Sequence, residues 1–380
     1  MNKPMFAIVF LLFAMHVTAH TTAPVARPDG GKWRVAYVES GYYIDYQLNL
    51  FHLINALSEL GWVQPAAMPE PGSNQQPLSM WEYVCQHVHS DYLQFLPDAA
   101  WSYNWDEQHR ERNTADMLRR LQSGDIDLLL SFGTWAGQAA ATNAHHVPTL
   151  VISTSDPIRA GIITSAEDSG YDHITAQVHP DRFLQQLRVF HNTFHFKKLG
   201  IVYEDTQTGR SYAAIEDVRA VAAECGFEVI EYHCITDHPD LDHLYTELQK
   251  AYDYLAPRVD AMYLTENSAH MTQRMPALMK PFEDNKVPTF YQSGAEGVEM
   301  GALMSLATED FTIIARFNAE KLARILHGEL PRSLPQVVLT PPRLAVNLQE
   351  ADRIGWNVPL DILKLCDEIY TTIPSGDAAP

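Results

Sequence analysis

The chain has 380 residues, of which 46% are apolar and 19% charged, and this composition is typical of globular proteins with substantial cores. Its formal net charge is −20. A surface this acidic disfavours nucleic acid and anionic membranes as partners, although local donor groups could still bind a small anion. Four cysteines are too few for a disulfide scaffold, and their spacing does not determine any pairing. The length fits two domains better than one.

Residues 1–19 have the pattern of a secretory signal peptide. Lys3 precedes an apolar run over residues 5–15, and the small residues that follow predict cleavage after Ala19. The run is too short to anchor the chain in a bilayer, and there is no cysteine at the cleavage point to carry a lipid. The alternative is a buried N-terminal helix. We expect an exported, soluble protein in which residues 20–32 form a flexible lead-in; loss of Lys3 takes the net charge from −20 to −21.

The first part of the chain alternates strands with helices. The predicted elements are a strand at residues 33–40, a helix that ends at Gly61, a loop at residues 65–77 and a helix that ends at Gly124. The aromatic-rich residues 81–105 follow neither the helical nor the strand period, so the sequence predicts no element there.

Residues 127–157 carry the most informative pattern. A strand at residues 127–131 runs through Gly133 into an alanine-rich helix, and a second strand at residues 149–154 ends in a polar loop. This is the βαβ unit of a parallel sheet. Because small ligands bind beyond the carboxyl ends of such strands, the two polar loops predict a small-molecule site.

The second half repeats the alternation. The predicted strands cover residues 198–205, 227–232, 261–265, 287–292, 301–306 and 343–347, and the predicted helices cover residues 211–225, 241–255, 271–283 and 311–326, with two short helices up to Tyr370. Two such runs predict an α/β protein of two doubly wound, parallel-sheet lobes. A ligand would bind in the cleft between the lobes.

Seven segments of the chain have sequences typical of one known family. They are FGTWAGQAA (132–140), ISTSDPIRAGII (152–163), KKLGIVYEDTQTG (197–209), DAMYLTEN (260–267), VPTFYQSG (287–294), the run from residue 301 to residue 331, and LAVNLQEADRIGWNVP (344–359). Through them, residues 33–370 resemble the bacterial ABC-transporter substrate-binding proteins of the type I periplasmic-binding fold, and within them the group that binds tryptophan and other aromatic amino acids. The DPIRAGII run and the NLxxAxxIG ending are fairly specific when taken together.

The resemblance implies lobes that are discontinuous in sequence and joined by crossover segments. It places residues 33–177 and 301–330 in lobe I, residues 178–300 and 331–373 in lobe II, and residues 374–380 in a tail. It also implies a monomeric, non-enzymatic periplasmic component of an uptake system, without a cofactor. Such a protein would bind a small molecule, an amino acid or related carboxylate, and deliver it to an ABC permease in the inner membrane. The sequence departs from the family in residues 65–110, which are unusually long and aromatic.

A zwitterionic ligand needs N–H donors for its carboxylate and an acceptor for its ammonium. The turn at Gly133 and Thr134 opens a helix whose N–H groups could bind an anion, and residues 208–211 could do the same from the opposite lobe. Arg210 would add a bidentate contact if it points inward. The alternative is that both segments are ordinary helix caps.

Asp156 follows a strand at the same edge and is the first candidate for the ammonium partner; its alternative role is to cap the following turn. Aromatic side chains nearby, such as Tyr42 and Trp135, could stack on a ligand ring or simply pack in the core. The residues expected at the site are Glu39, Ser40, Tyr42, Gly133, Thr134, Trp135, Ser155, Asp156, Glu204, Gly209, Arg210, Ser211, Thr265, Glu266, Gln292 and Ser293.

Three other classes of function compete with solute uptake. Enzymatic chemistry has no support, because GxSxG, GxxxxGK[ST], HExxH and GxGxxG do not occur. A metal site could be built from the histidine-rich residues 87–91 or 233–243, but neither segment has the spacing of a closed tetrahedral site. A ligand sensor that reports to a membrane receptor, such as a histidine kinase or a cyclase, would use the same two-lobed fold.

Overall fold

The computed structural model describes residues 22–374, except residues 237, 268, 271–272 and 308–309. The predicted signal peptide at residues 1–19 lies outside the described residues, as does the tail after residue 374. Residues 22–32, expected as a flexible lead-in, lie against the rest of the chain. The indole of Trp62 donates to the carbonyl of Thr22 (2.9 Å), and the indole of Trp33 donates to that of Val25 (2.8 Å). No helix in the described part of the chain has the length and apolar character needed to cross a membrane.

The first lobe is built on a five-stranded parallel sheet with the strand order β2-β1-β3-β4-β5. Its strands are β1 (Trp33–Glu39), β2 (Leu93–Ser102), β3 (Leu128–Phe132), β4 (Thr149–Ile152) and β5 (Ile174–Thr175). The helices along this part of the chain are α1 (Ile44–Glu59), α2 (Ser79–His87), α3 (Glu107–Leu121) and α4 (Thr134–Ala140).

Successive residues of the central strands bury their side chains on opposite faces of this sheet. In β3, Leu128 and Leu130 pack in the core formed with α1 and α2, whereas Leu129 packs in the core formed with α3 and α4. Both faces are therefore covered by helices. This is why β3, with the sequence LLLSF, is mostly apolar and does not alternate between apolar and polar residues.

The second lobe is built on a seven-stranded sheet with the strand order β12-β11-β10-β9-β8-β6-β7. Its strands are β6 (Lys198–Tyr203), β7 (Glu228–His233), β8 (Ala261–Leu264), β9 (Thr289–Tyr291), β10 (Met304–Ala307), β11 (Arg343–Asn347) and β12 (Cys366–Tyr370). The helices from here to the end of the chain are α5 (Arg182–Phe194), α6 (Gln207–Ala213), α7 (Ile215–Cys225), α8 (Leu241–Leu255), α9 (Met275–Asn285), α10 (Ala295–Glu299), α11 (Phe311–Leu326), α12 (Leu348–Ile354) and α13 (Leu360–Leu365).

The prediction of two doubly wound α/β lobes is confirmed, with one difference in strand direction. Strand β11 runs antiparallel to β10, and β12 runs parallel to β11. The second sheet is therefore mixed, whereas the first is parallel throughout.

In the described part of the chain, two of the segments that pass between the lobes pair with each other. The N–H of Val178 donates to the carbonyl of Gln336 (2.8 Å), and the N–H of Val338 donates to that of Val178 (3.0 Å). A further passage precedes α11, which packs against α1 in the first lobe. The expected start of this passage at residue 301 is wrong, because β10 pairs with β9 and β11 in the second sheet.

Three further element predictions are corrected by the structure. The aromatic-rich residues 81–105 contain most of α2 and all of β2, an edge strand. The predicted helix at residues 211–225 is two helices, which separate at Ala214, where the backbone is left-handed (φ 51°). Residues 366–370 form strand β12 rather than a helix, because they pair with β11. Helix α5, which was not predicted, covers the second sheet near β6.

Glu350 on α12 gives the second lobe a pH-dependent stability. Its side chain is 1% exposed, and its carboxylate oxygens have no hydrogen-bond partner among the described residues. Burial, and then the charge of Glu283, raise its pKa from 4.5 to about 8. Because the folded state disfavours the ionised form, this contribution to stability is complete below pH 4.5 and is lost as the pH rises to about 8.

We therefore expect Glu350→Gln to unfold at higher urea concentration than the wild type at pH 8, with a much smaller difference at pH 4.5. Urea unfolding of both proteins at the two pH values measures this difference. Asp352→Asn, an exposed carboxylate on the same helix, is the control and should follow the wild type. An equal change at both pH values for Glu350→Gln would contradict the expectation.

Candidate ligand-binding site

A narrow pocket lies between the two lobes at the carboxyl ends of their strands. Its cavity volume is only about 20 Å³, little more than one water molecule needs, so the closed lobes must move apart to admit a solute. We refer to it as the interlobe pocket. Its lining residues are Tyr43, Tyr46, Trp105, Thr134, Ser153 and Ser155 of the first lobe and Tyr212, Glu266 and Asn267 of the second.

The turn between β3 and α4 forms the floor on the side of the first lobe. Gly133 has a left-handed backbone (φ 89°), and a Cβ atom there would overlap the hydroxyls of Tyr46 and Ser40. The hydroxyl of Ser40 accepts from the N–H of Ala136 (3.2 Å), which fixes the start of α4. Thr134 is 1% exposed, and its hydroxyl lines the pocket without a hydrogen-bond partner among the described residues. A buried, unpaired hydroxyl is costly, so a ligand group that bonds to it would be favoured.

Glu266 supplies the charge on the side of the second lobe. Its backbone N–H donates to Oε1 of Gln292 (3.0 Å), whose amide nitrogen donates in turn to the carbonyl of Tyr212 (2.8 Å). Gln292 is buried and thus orients both residues that face the pocket. Burial, with the nearby charges of Asp45 and Glu266, raises the pKa of Tyr43 well above its usual value, so its hydroxyl stays protonated next to the Glu266 carboxylate.

The pocket is electronegative. Among its described lining residues Glu266 carries a negative charge, and none is a lysine or an arginine. His270 lies behind the second-lobe wall and is fully buried. Burial lowers its pKa to about 3, so its ring is neutral and adds no positive charge. A cationic group on the ligand is therefore favoured near Glu266.

Hydrogen bonds and an ion pair hold the two lobes together around the pocket. The hydroxyl of Ser155 donates to Oε2 of Glu266 (3.1 Å). Arg159, in the loop after β4, binds both carboxylate oxygens of Asp217 on α7, each at 2.6 Å. The hydroxyl of Ser211 donates to the carbonyl of Asp156 (3.3 Å). The arrangement is that of two lobes closed on each other.

The structure brings some of the sequence-predicted residues together and uses others as their support. Thr134, Ser155 and Glu266 line the pocket. Ser40, Gly133 and Gln292 position them, as described above. Thr265 turns its hydroxyl into the second lobe, where it donates to the carbonyl of Val202 (2.8 Å).

Asp156 does not line the interlobe pocket, contrary to the expectation that it binds an ammonium group. Its Oδ1 accepts from the N–H groups of Ile158 and Arg159, each at 3.0 Å, and its Oδ2 lies 3.5 Å from the Arg159 guanidinium. The carboxylate therefore caps its own turn, which is the alternative that the sequence left open.

Arg210 does not line the interlobe pocket either. Its guanidinium is bound at the surface by Asp205 (2.9 Å) and Glu216 (3.0 Å). Residues 208–211 lie inside α6, which begins at Gln207, so they do not precede a helix as expected. Gly209 packs against the carbonyl of Glu204, with no room for a Cβ atom.

The remaining predicted residues lie around the pocket without lining it. Glu39 is buried inside the first lobe, where it accepts from the Tyr37 hydroxyl (3.0 Å), and burial raises its pKa to about 7. Glu204 is half-buried, and burial, with the charge of Glu107, raises its pKa. The indole of Trp135 packs under the guanidinium of Arg110 (4.7 Å to the ring centroid). The other residues in this group are Tyr42, Gly209, Ser211 and Ser293.

Sequence reasoning missed several of the lining residues. Tyr46 follows Tyr43 by three positions on the first turn of α1, a spacing that is equally typical of a core-facing helix. Tyr212 lies inside α6, one residue beyond the predicted segment. Ser153 directly follows β4 and could have been found by the same strand-end reasoning as Ser155. Trp105 falls in the segment for which no element was predicted.

The histidine-rich segments do not form a metal centre in the part of the chain that the structure describes. No group of three or more His, Cys, Asp or Glu side chains there is arranged to hold a metal ion. Asp237, in the second of the two segments, lies outside the described residues.

Comparison with known proteins identifies the family. Residues 98–370 match the sequence model of the ABC transporter substrate binding protein family. Because this match covers well over half of the chain, the protein belongs to that family. A tyrosine-binding protein of Clostridioides difficile (strain R20291) is 21% identical over 236 residues, which are 62% of this chain and 64% of that protein. The match thus spans less than two thirds of the relative's length.

Solved structures show the same fold. The chain is similar to an ABC domain from Streptococcus pneumonia in complex with L-Trp, with 18% identity and a TM-score of 0.65 over 88% of this chain and 99% of that one. It is also similar to a conserved domain protein of Vibrio cholerae, with 20% identity and a TM-score of 0.66 over 89% and 99% of the two chains. A third similar structure is the ligand-free, open form of a Clostridium difficile substrate-binding protein with adhesive properties, with 19% identity and a TM-score of 0.58 over 90% and 100%.

Proposed function

We propose that the protein is a periplasmic solute-binding component of an ABC importer and that it closes around an amino acid in the interlobe pocket. The observation that carries this proposal is the pocket itself. Strand-end residues of both lobes meet there, and the hydroxyl of Ser155 in one lobe binds the carboxylate of Glu266 in the other (3.1 Å). A site shared by two lobes is complete only when they close.

The polar groups of the pocket suit the two charges of an amino acid. Glu266 would accept the ammonium group, with the hydroxyl of Tyr43 beside it. The unpaired hydroxyl of Thr134 would donate to the carboxylate, next to the first N–H groups of α4. The lining aromatic rings would contact the side chain. The tyrosine-binding relative and the L-Trp complex support a ligand of this class.

The proposal includes export, delivery and the absence of catalysis. Residues 1–19 would direct the chain through the inner membrane and be removed. The closed, liganded monomer would present surfaces of both lobes to a permease, and opening would release the ligand. The protein would bind its ligand without converting it.

A thermal-shift experiment tests the ligand class. We expect L-tryptophan, L-tyrosine or L-phenylalanine to raise the melting temperature with concentration, because a ligand that binds only the folded protein stabilises it. The corresponding D-amino acids are the matched controls and should have much smaller effects, since inversion exchanges the positions of the ammonium group and the side chain. If no amino acid raises the melting temperature while a sugar or an inorganic anion does, the amino-acid assignment is wrong.

A further inference from the structure

We propose that Trp105 is a specificity-determining residue, which selects ligands with a flat, unsaturated ring. This inference rests on the proposed function, because it concerns the side-chain end of the same interlobe pocket. Trp105 lies in the link between β2 and α3 and lines the pocket from the first lobe. It is partly buried in the core of that lobe, so part of the indole remains available to the ligand.

The backbone that presents Trp105 adopts an unusual conformation. Asn104 and Trp105 are both left-handed, with φ values of 50° and 53°. This conformation is uncommon for residues other than glycine, and a bulky residue such as tryptophan adopts it rarely. Two hydrogen bonds maintain it, from the Trp105 N–H to the carbonyl of Ser40 (3.1 Å) and from its indole N–H to the carbonyl of Tyr42 (2.9 Å). Strained conformations of this kind concentrate at ligand sites.

Gly41 makes room for the indole. A Cβ atom at position 41 would lie 2.5 Å from Cδ1 and 2.6 Å from Nε1 of Trp105, which is closer than real contacts allow. The indole therefore lies directly on the backbone that follows β1. In the same way, the absence of a Cβ atom at Gly133 leaves room for the hydroxyl of Tyr46. Two glycines thus allow two aromatic side chains to pack directly on the backbone at the wall of one pocket.

The aromatic side chains form a continuous wall. The ring centroids of Tyr46 and Trp105 are 6.4 Å apart with an interplanar angle of 35°, and those of Tyr43 and Tyr46 are 5.4 Å apart at 67°. Tyr212 lines the pocket from the opposite lobe. A flat ring bound between these walls would gain ring–ring contacts, whereas a puckered saturated ring of the same carbon number is thicker and lacks those contacts.

Two amino acids that share a six-carbon ring and differ in its saturation provide the test. Titration calorimetry with L-phenylalanine and L-cyclohexylalanine should show that the wild type prefers phenylalanine by about two- to tenfold, the usual size of an aromatic pair interaction. Trp105→Ala should lose this preference and bind phenylalanine about tenfold or more weakly, while Trp105→Phe should keep part of it. Equal wild-type affinities, or an unchanged preference in Trp105→Ala, would overturn the inference.

Gly41→Ala tests the same wall from a residue that does not line the pocket. Its methyl group should displace the indole and reduce the preference to that of Trp105→Ala. Combined with Trp105→Ala it should leave the phenylalanine preference as it is in Trp105→Ala, because the indole atoms it displaces are gone, although backbone strain at position 41 (φ 159°) can weaken the binding of both ligands alike. Tyr254→Ala, an exposed aromatic residue on α8, is the control and should bind like the wild type. A phenylalanine preference that differs between Trp105→Ala and the double variant would count against the inference.

The experiment separates failure of this inference from failure of the proposed function. If the wild type binds neither amino acid, the amino-acid assignment has failed, and the wall is tested with phenol and cyclohexanol by ligand-observed NMR. A preference for phenol that disappears in Trp105→Ala would support the wall independently of the amino-acid groups. Equal binding of phenol and cyclohexanol by the wild type would overturn it.

Discussion

Glu266→Gln should weaken the binding of an aromatic L-amino acid by about 2 kcal/mol or more, which is roughly a thirtyfold rise in Kd. The amide keeps the shape of the side chain and retains an oxygen that can accept from the Ser155 hydroxyl. What it removes is the negative charge of the pocket. A buried ammonium group without a counter-charge is costly, so the loss should appear mainly as faster dissociation.

A ligand without the ammonium group isolates this effect. Glu266→Gln should bind 3-phenylpropanoate at least as tightly as the wild type, because this anion no longer meets a negative charge, although the variant binds L-phenylalanine much more weakly; calorimetry with both ligands measures the difference. Asp156→Asn is the matched control. Its side-chain oxygen can still cap the turn at Ile158 and Arg159, so it should change the affinity by less than about 1 kcal/mol. Equal losses for the two ligands in Glu266→Gln would indicate that the residue shapes the pocket without binding the ammonium.

The comparison of Glu266 with Asp156 shows how far sequence can locate a site. Both carboxylates follow a strand at the edge where the lobes meet, and the strand pattern correctly predicted that edge. Which of them faces the ligand depends on local competition for hydrogen bonds. The N–H groups two and three residues beyond Asp156 are free to bind its carboxylate, whereas the N–H of Glu266 is bound by Gln292, a residue 26 positions away. That long-range contact is not visible in the sequence.

Trp105 was missed for a different physical reason. Strand β2 is an edge strand, and its register with β1 shifts between the pair Val35–Phe95 and the pair Tyr37–Ala100. The additional residues of β2 between these two pairs, which include Pro97, interrupt the alternation of side chains by which a strand is predicted from sequence.

Strand β12 was mistaken for a helix because its short segment has no strong period, and pairing with β11 decides its conformation. Mostly apolar strands buried on both faces, such as β3, were predicted well.

Arg159→Ala should weaken ligand binding by about 1–2 kcal/mol without changing the rank order of ligands. Arg159 lines no part of the interlobe pocket, but its guanidinium joins the first lobe to Asp217 of the second through two 2.6 Å contacts. The side chain of Asp217 is 12% exposed and that of Arg159 is 34% exposed, so the pair is partly screened by water and its loss should cost less than that of a fully buried pair. Because the pair forms only when the lobes meet, its loss reduces the population of the closed, binding-competent state.

A double-mutant cycle with Asp217→Ala determines whether the two residues act as a pair. The double variant Arg159→Ala/Asp217→Ala should bind the ligand about as well as the weaker single variant, and small-angle scattering should show a larger radius of gyration for all three without ligand. Arg188→Ala is the control, because Arg188 forms an ion pair with Glu224 (2.7 Å) that lies within the second lobe. Closure of the lobes does not form that pair, so its removal should leave the affinity unchanged. If Arg188→Ala and Arg159→Ala weaken binding equally, the effect belongs to the stability of the second lobe and not to closure.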